Sequence, residues 1–140
     1  MNLIYKYDGH DIDWRLVPEI LKMVGMSFHD ADIHRETFSS SASVVFVFDS
    51  NQLVGFGRAI SDSLIQAAIY DVAVLPSYQG HGIGKQIIEK IVASLPGCNF
   101  ILYASPGKEP FYEKLKFRRM KTGMALFVKS EIMSARGFTE

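Results

Sequence analysis

The sequence predicts an α/β fold: a mixed, mostly antiparallel central sheet with a βαβ crossover and flanking helices. Three observations carry the prediction. Residues 43–75 hold three apolar, β-branched or aromatic runs separated by turn clusters, which is the pattern of an antiparallel meander. From Gly82 to Leu95 the apolar period turns helical. A short apolar run at Phe100–Ala104 follows, so strand, glycine loop, helix and strand form a crossover that sets strands 64–75 and 100–104 parallel. At 140 residues, 48% of them apolar and 21% charged, the chain is sized for one domain with a buried core.

In order, Asn2–Tyr7 reads as a short strand and Pro18–Gly25 as a helix opened by proline. Asp30–Phe38 reads as a second helix with Asp30 as its N-cap. Ser43–Phe48 is a strand that stops at the turn cluster Asp49-Ser50-Asn51, and Gln52–Ile60 completes the hairpin. Ser61-Asp62-Ser63 turns the chain into a third strand, Leu64–Leu75, which Pro76 ends. In Gly82–Leu95, Ile83, Ile87, Ile88, Ile91, Val92 and Leu95 share one stripe while Lys85, Gln86, Glu89 and Lys90 fall elsewhere. Pro96-Gly97 stops that helix. Glu109–Leu115 reads as a short helix and Met120–Val128 as a last strand; the tail from Lys129 is unassigned.

Composition excludes several classes. No apolar run approaches the roughly 18 residues of a membrane span, and the N-terminal residues lack a signal-peptide pattern. Cys98 is the one cysteine, which excludes an internal disulfide and a multi-thiolate metal site, and the expected address is a reducing cytoplasm. His10, His29, His34 and His81 have no metal-ligand spacing, so no metal is expected. Fifteen basic and fifteen acidic residues cancel, which gives no global pull toward nucleic acid or an anionic membrane. The halves differ: residues 1–75 carry five basic and ten acidic side chains, residues 76–140 ten basic and five acidic. That split suits a polyanionic cofactor on one side and a cationic substrate on the other, and it equally suits ordinary scatter of solvated charge.

The most informative segment is Gln79-Gly80-His81-Gly82-Ile83-Gly84-Lys85, between a strand and an amphipathic helix. Glycines let backbone approach a ligand, and the free N–H groups of a helix N-terminus bind anions, so a diphosphate is the natural ligand. A Walker loop does not fit, because three residues separate Gly80 from Gly84 and Gln86 follows Lys85. The dinucleotide fingerprint does not fit either, because the spacing is G-x-G-x-G and Asn99–Pro106 offers no acid. A tight strand-to-helix turn is the bland alternative.

The Gln79-x-x-Gly82-x-Gly84 pattern resembles the Gln/Arg-x-x-Gly-x-Gly/Ala loop of the GNAT superfamily of N-acetyltransferases. The Val72–Val74 strand and the Phe111–Phe117 segment FYEKLKF, similar to the family's aromatic-Tyr-x-x-x-Gly-Phe motif, extend the likeness over residues 43–128, with 1–42 as an acceptor-side helical part. The resemblance implies an acetyl-CoA cofactor whose pyrophosphate is held by the amides of Gly80, Gly82, Ile83, Gly84 and Lys85, with Gln79 at the loop entrance and His81 inside it. It implies that backbone groups of Val72, Ala73 and Val74 receive the pantetheine arm and thioester. Tyr112 aligns with the tyrosine that protonates the departing thiolate; its bland alternative is a core aromatic beside Phe111, Leu115 and Phe117. Ser105 stands where many relatives have a cofactor-contacting Asn, and would bond pantetheine or cap the next helix. Lys116 replaces the motif's glycine, so the turn before Phe117 is expected to be built differently.

The base is open at this level. Ala68 stands where the histone-modifying branch has a glutamate; Asp71 would orient a water, bind a cationic amine, or make a sheet-edge hydrogen bond. Arg58, Ser61, Asp62, Trp14, Phe28 and His29 are further acceptor-side candidates. The basic cluster Lys114, Lys116, Arg118, Arg119 and Lys121 would meet the cofactor's 3′-phosphate or simply be solvated. The implied activity is acetyl transfer from acetyl-CoA to a primary amine, of a small molecule, by direct attack in a ternary complex. The alternatives are a protein lysine or N-terminal acetyltransferase and a non-catalytic acyl-CoA sensor. No nucleic-acid or membrane partner is expected, and the chain is expected to be a monomer or homodimer.

Overall fold

The computed structural model describes all 140 residues, which form two compact units, Met1–Leu102 and Tyr103–Glu140. In the first unit the strands β1 (Leu3–Lys6), β2 (Ser43–Asp49), β3 (Gln52–Ser61), β4 (Gln66–Val74) and β5 (Asn99–Ile101) make one sheet in sequence order. β1 to β4 pair antiparallel and β5 lies parallel to β4, as the meander and crossover require. Helices α1 (Leu16–Met23) and α2 (Ala31–Ser39) precede β2, and α3 (Ile83–Ser94) links β4 to β5. Asp30 does stand at the N-cap position of α2, with extended backbone, but its side chain makes no capping bond.

The two faces of the sheet are buried differently. On one face Val17, Ile20 and Leu21 of α1 and Phe38 of α2 join Phe46, Leu53, Phe56 and Ala73 in a continuous core. Trp14, partly buried, packs against it with its ring 5.7 Å from Phe38 and 5.7 Å from Phe46. On the other face lies α3, whose Ile83, Ile87, Ile88 and Ile91 are fully buried. Gly57 is what allows this close approach. A Cβ there would stand 2.7 Å from Cγ2 of Ile87 and 3.2 Å from Cγ2 of Val72.

The strand expected over Leu64–Leu75 begins two residues late. Asp62 Oδ1 accepts the N–H groups of Leu64, Ile65 and Gln66 at 2.8, 2.7 and 3.1 Å, and this Asx-type turn consumes the first two residues. The second crossover strand is also shorter than expected, ending at Ile101.

In the second unit, α4 (Glu109–Lys114) follows a tight turn in which the Lys108 N–H donates to the Ser105 carbonyl at 2.9 Å, with Pro106 and Gly107 (φ +90°) at its centre. The helix then ends in a Schellman motif. The Phe117 N–H donates to the Tyr112 carbonyl (3.1 Å), the Lys116 N–H to that of Glu113 (3.1 Å), and Lys116 itself is left-handed at φ +76°. The same motif ends α1 at Gly25 (φ +78°) and a last helix, α5 (Ser130–Ala135), at Gly137 (φ +88°). So the turn before Phe117 is built as glycine would build it, with lysine accepting the strain.

The strand expected over Met120–Val128 does not form; the segment is irregular, with Met124, Leu126 and Val128 almost wholly exposed. An apolar run alone does not make a strand. Gly123, Met124, Ala125 and Leu126 are weak strand formers, and no neighbour takes up their backbone hydrogen bonds. The tail, unassigned from sequence, supplies α5.

Candidate functional site

The glycine loop follows β4 directly. After a single 3-10 turn over Pro76–Tyr78, the Gln79 amide nitrogen donates back to the Val74 carbonyl at 3.0 Å, closing the loop entrance. Tyr78 donates its hydroxyl proton to Asp49 Oδ2 at 2.7 Å, which ties the loop to the β2–β3 hairpin. Gly80 (φ +83°) and Gly82 (φ +79°) both adopt left-handed backbone, and nothing lies within 4 Å of where a Cβ would be. Gly82 is the N-cap of α3, and no side chain caps that end. The first-turn N–H groups of Ile83, Gly84 and Lys85 are therefore unclaimed at the positive end of a three-turn helix. Open space above two glycines and an uncapped helix end suit the phosphates of a nucleotide-bearing cofactor. His81 and Lys85 are exposed beside it, with Lys85 3.8 Å from Glu89.

β4 offers the second feature. Its pairing with β5 stops at Ala68 opposite Ile101, so Ile69–Val74 continue with β3 on one side and no strand on the other. Val72, Ala73 and Val74 lie in this stretch, immediately before the loop. An extended ligand bearing amides can lie there as a further strand lies against a sheet edge. Ala68 has no titratable group and ends the β5 ladder.

β4 also carries a bulge. Phe56 faces Ala73 and Arg58 faces Tyr70, so Gly57 alone stands opposite Asp71 and Val72. Asp71 sits at φ +56° and its Oδ2 accepts the Nε–H of Arg58 at 2.8 Å. Arg58 also donates from Nη1 to Ser41 Oγ at 3.3 Å, and its guanidinium lies over the rings of Phe38 (5.8 Å) and Tyr70 (5.4 Å). Asp71 thus faces the α1–α2 side of the sheet, and its charge is shared with a guanidinium. Asp62, the other carboxylate expected near a cationic acceptor, is occupied by three backbone N–H groups that hold it below the usual carboxylate range. Ser61 is similarly engaged, donating to the Gln66 carbonyl at 2.7 Å. Phe28 is half exposed under the Lys22 ammonium, and His29 serves through its backbone.

Sequence reasoning missed His34. It is 3% exposed on α2 and its Nε2 accepts the His29 N–H at 2.9 Å. Burial lowers its pKa from the ordinary histidine value, with the Asp71 carboxylate acting in the opposite direction.

In the second unit Tyr112 is half-buried on α4, edge-on to Phe111 (4.9 Å) and Phe117 (5.8 Å), and burial raises its pKa above the ordinary phenol value. Its carbonyl accepts from both Leu115 and Phe117, which fixes the backbone beneath the ring. A phenol held protonated can donate a proton to a thiolate. Ser105 is half-buried, and no side-chain cap reaches the start of α4. In the basic cluster Arg119 pairs with Glu113 at 3.1 Å, while Lys114, Lys116, Arg118 and Lys121 are exposed. No group of three or more His, Cys, Asp and Glu side chains is placed to hold a metal, and no helix is long and apolar enough to cross a membrane.

A family model described as an acetyltransferase (GNAT) domain matches residues 16–125, and the chain belongs to that family. Among curated relatives, serotonin N-acetyltransferase 2, chloroplastic, of Oryza sativa subsp. japonica is 34% identical over 114 residues, 76% of this chain and 56% of its own length. Histone acetyltransferase TAP1 of Glycine max is 38% identical over 79 residues, 54% of this chain and 34% of its own. The chain spans a little over half the length of the first curated relatives it matches. Among solved structures, a GNAT-family acetyltransferase from Streptococcus pneumoniae superposes with a TM-score of 0.76 at 21% identity, covering 91% of this chain and 98% of that one. That likeness establishes the fold.

Proposed function

We propose that the chain transfers an acetyl group from acetyl-CoA to a primary amine of a small molecule, by direct attack within a ternary complex. The observation that carries the proposal is the uncapped, glycine-lined start of α3 placed directly after a β4 segment with one side unpaired. In this reading the amides of Gly80, Gly82, Ile83, Gly84 and Lys85 bind the diphosphate, with Gln79 closing the entrance and His81 alongside. Val72, Ala73 and Val74 hold the pantetheine amides and aim an N–H at the thioester oxygen, where negative charge develops during attack. Acetyl-CoA supplies the activated acyl group. Tyr112 donates its phenolic proton to the departing thiolate. Ser105 borders the pantetheine arm, and Asp71 offers its second oxygen to the incoming amine or to a water that removes the amine proton.

A reducing cytoplasm fits the single cysteine, and the unit acts as a monomer or homodimer without nucleic acid. Acetylation of a protein lysine is the second reading, favoured by the name of the soybean relative. Thiol release from acetyl-CoA, measured across polyamines, arylalkylamines, aminosugars and lysine peptides, separates the readings. Turnover confined to small amines supports the first and turnover confined to peptides the second. A chain that binds acetyl-CoA yet releases no thiol with any of them would be a sensor.

A further inference from the structure

We propose that Arg58 is a positioning residue, whose ion pair with Asp71 clasps the β4 bulge and thereby sets the course of the Val72–Val74 backbone. The proposal rests on the reading that this backbone receives the pantetheine arm. At φ +56° Asp71 occupies left-handed backbone space where glycine is free of strain and a side chain is not. An unstrained glycine is thus passed over for a carboxylate, and that carboxylate accepts a hydrogen bond from Arg58 Nε at 2.8 Å. The pair is sheltered, with side-chain exposures of 15% and 20%, so solvent screens it less than a surface pair.

Arg58 is itself fixed from both sides. From α2 and its end come the Phe38 ring and Ser41 Oγ, which in turn donates to the Thr37 carbonyl at 2.7 Å; from β4 comes the Tyr70 ring. The bulge places two residues of β4 against Gly57 alone, and the space that Gly57 leaves is filled by Val72 and by Ile87 of α3. A bulged residue lacks the regular ladder that holds its neighbours, so its direction is free unless something anchors it. Arg58 supplies that anchor one residue from the glycine. Truncating either partner leaves the other charged and unpaired in the same half-buried place, and frees the backbone of Asp71–Val74.

The test uses Arg58→Met, Asp71→Asn and the double variant, with Arg58→Lys and Asp71→Gly as milder forms that keep, respectively, the charge and the left-handed backbone. Two readouts are taken: acetyl-CoA affinity by calorimetry, and amide hydrogen exchange across Asp71–Val74 without ligand. Each single change is expected to weaken acetyl-CoA binding by about threefold to tenfold and to speed exchange in that segment. The double variant should be no worse than the more affected single, because one clasp is broken either way. Arg58→Lys should fall between wild type and Arg58→Met. Additive losses, or exchange across Asp71–Val74 unchanged in Arg58→Met, would overturn the clasp. Unchanged acetyl-CoA affinity combined with faster exchange would keep the clasp and overturn its role in seating the cofactor. A wild type that binds no acetyl-CoA contradicts the proposed function alone, since the exchange readout needs no ligand.

Discussion

Gly82→Asp separates the fold of the loop from its use. Nothing lies within 4 Å of the added Cβ, so sterics oppose the change little. The left-handed backbone at φ +79° costs an aspartate about 1 kcal/mol, and a negative charge at the start of α3 returns about 0.3–1 kcal/mol through the helix dipole. The two nearly cancel, and thermal unfolding should move by no more than a few degrees. Binding behaves differently. A carboxylate about 4 Å from a phosphate is repelled by about 1 kcal/mol in a water-like medium and about 4 kcal/mol at the dielectric of a protein surface. Acetyl-CoA affinity should therefore fall at least about fivefold by calorimetry. Gly82→Asn, neutral and tolerant of the same backbone, should lose distinctly less. A folded Gly82→Asp protein that binds acetyl-CoA as tightly as the wild type would refute the phosphate assignment.

Lys116→Gly should raise stability by about 1 kcal/mol, because the same motif at Gly25 and Gly137 uses glycine at nearly the same φ; unchanged thermal unfolding would mean the lysine is unstrained. Gly57→Ala should cost about 1–3 kcal/mol, since its Cβ would stand 2.7 Å from Ile87; a neutral result in denaturant would show that α3 can move away freely. His34 is held neutral by burial, so its folded pKa lies below the unfolded value near ~6.5 and the unfolded chain binds more protons between the two. Stability should then be full above about pH 6.5 and decline as pH falls through that window. His34→Gln, which keeps an acceptor for the His29 N–H, should show a shallower decline, and an identical one would remove His34 from the account.

The meander, the crossover and the glycine loop were legible because each rests on local period and composition: alternating runs, the isoleucine stripe from Ile83, and glycines at a strand-to-helix junction. Membership of the GNAT family was legible from the same loop and the FYEKLKF segment. Features set by pairing were not. Met120–Val128 ends in an apolar run, Met124–Val128, that is compatible with a strand, yet such a run does not specify a pairing partner. The Arg58–Asp71 contact joins residues thirteen apart across a bulge that no spacing rule announces. The left-handed backbone at Asp71 and Lys116 is hidden for a related reason, since sequence marks such positions only when they carry glycine. Asp62 looked like a free carboxylate until the turn claimed its oxygen, and His34 entered the sequence reading only as one of four histidines without metal-ligand spacing.

The most direct measurement is amine-dependent thiol release from acetyl-CoA by the wild type and by Tyr112→Phe at matched folding. Removing only the hydroxyl keeps the ring between Phe111 and Phe117, so acetyl-CoA affinity should hold while turnover falls by about 10²-fold or more. Full turnover in Tyr112→Phe would leave Tyr112 as a packing aromatic, and no thiol release by the wild type with any amine would contradict acetyl transfer itself.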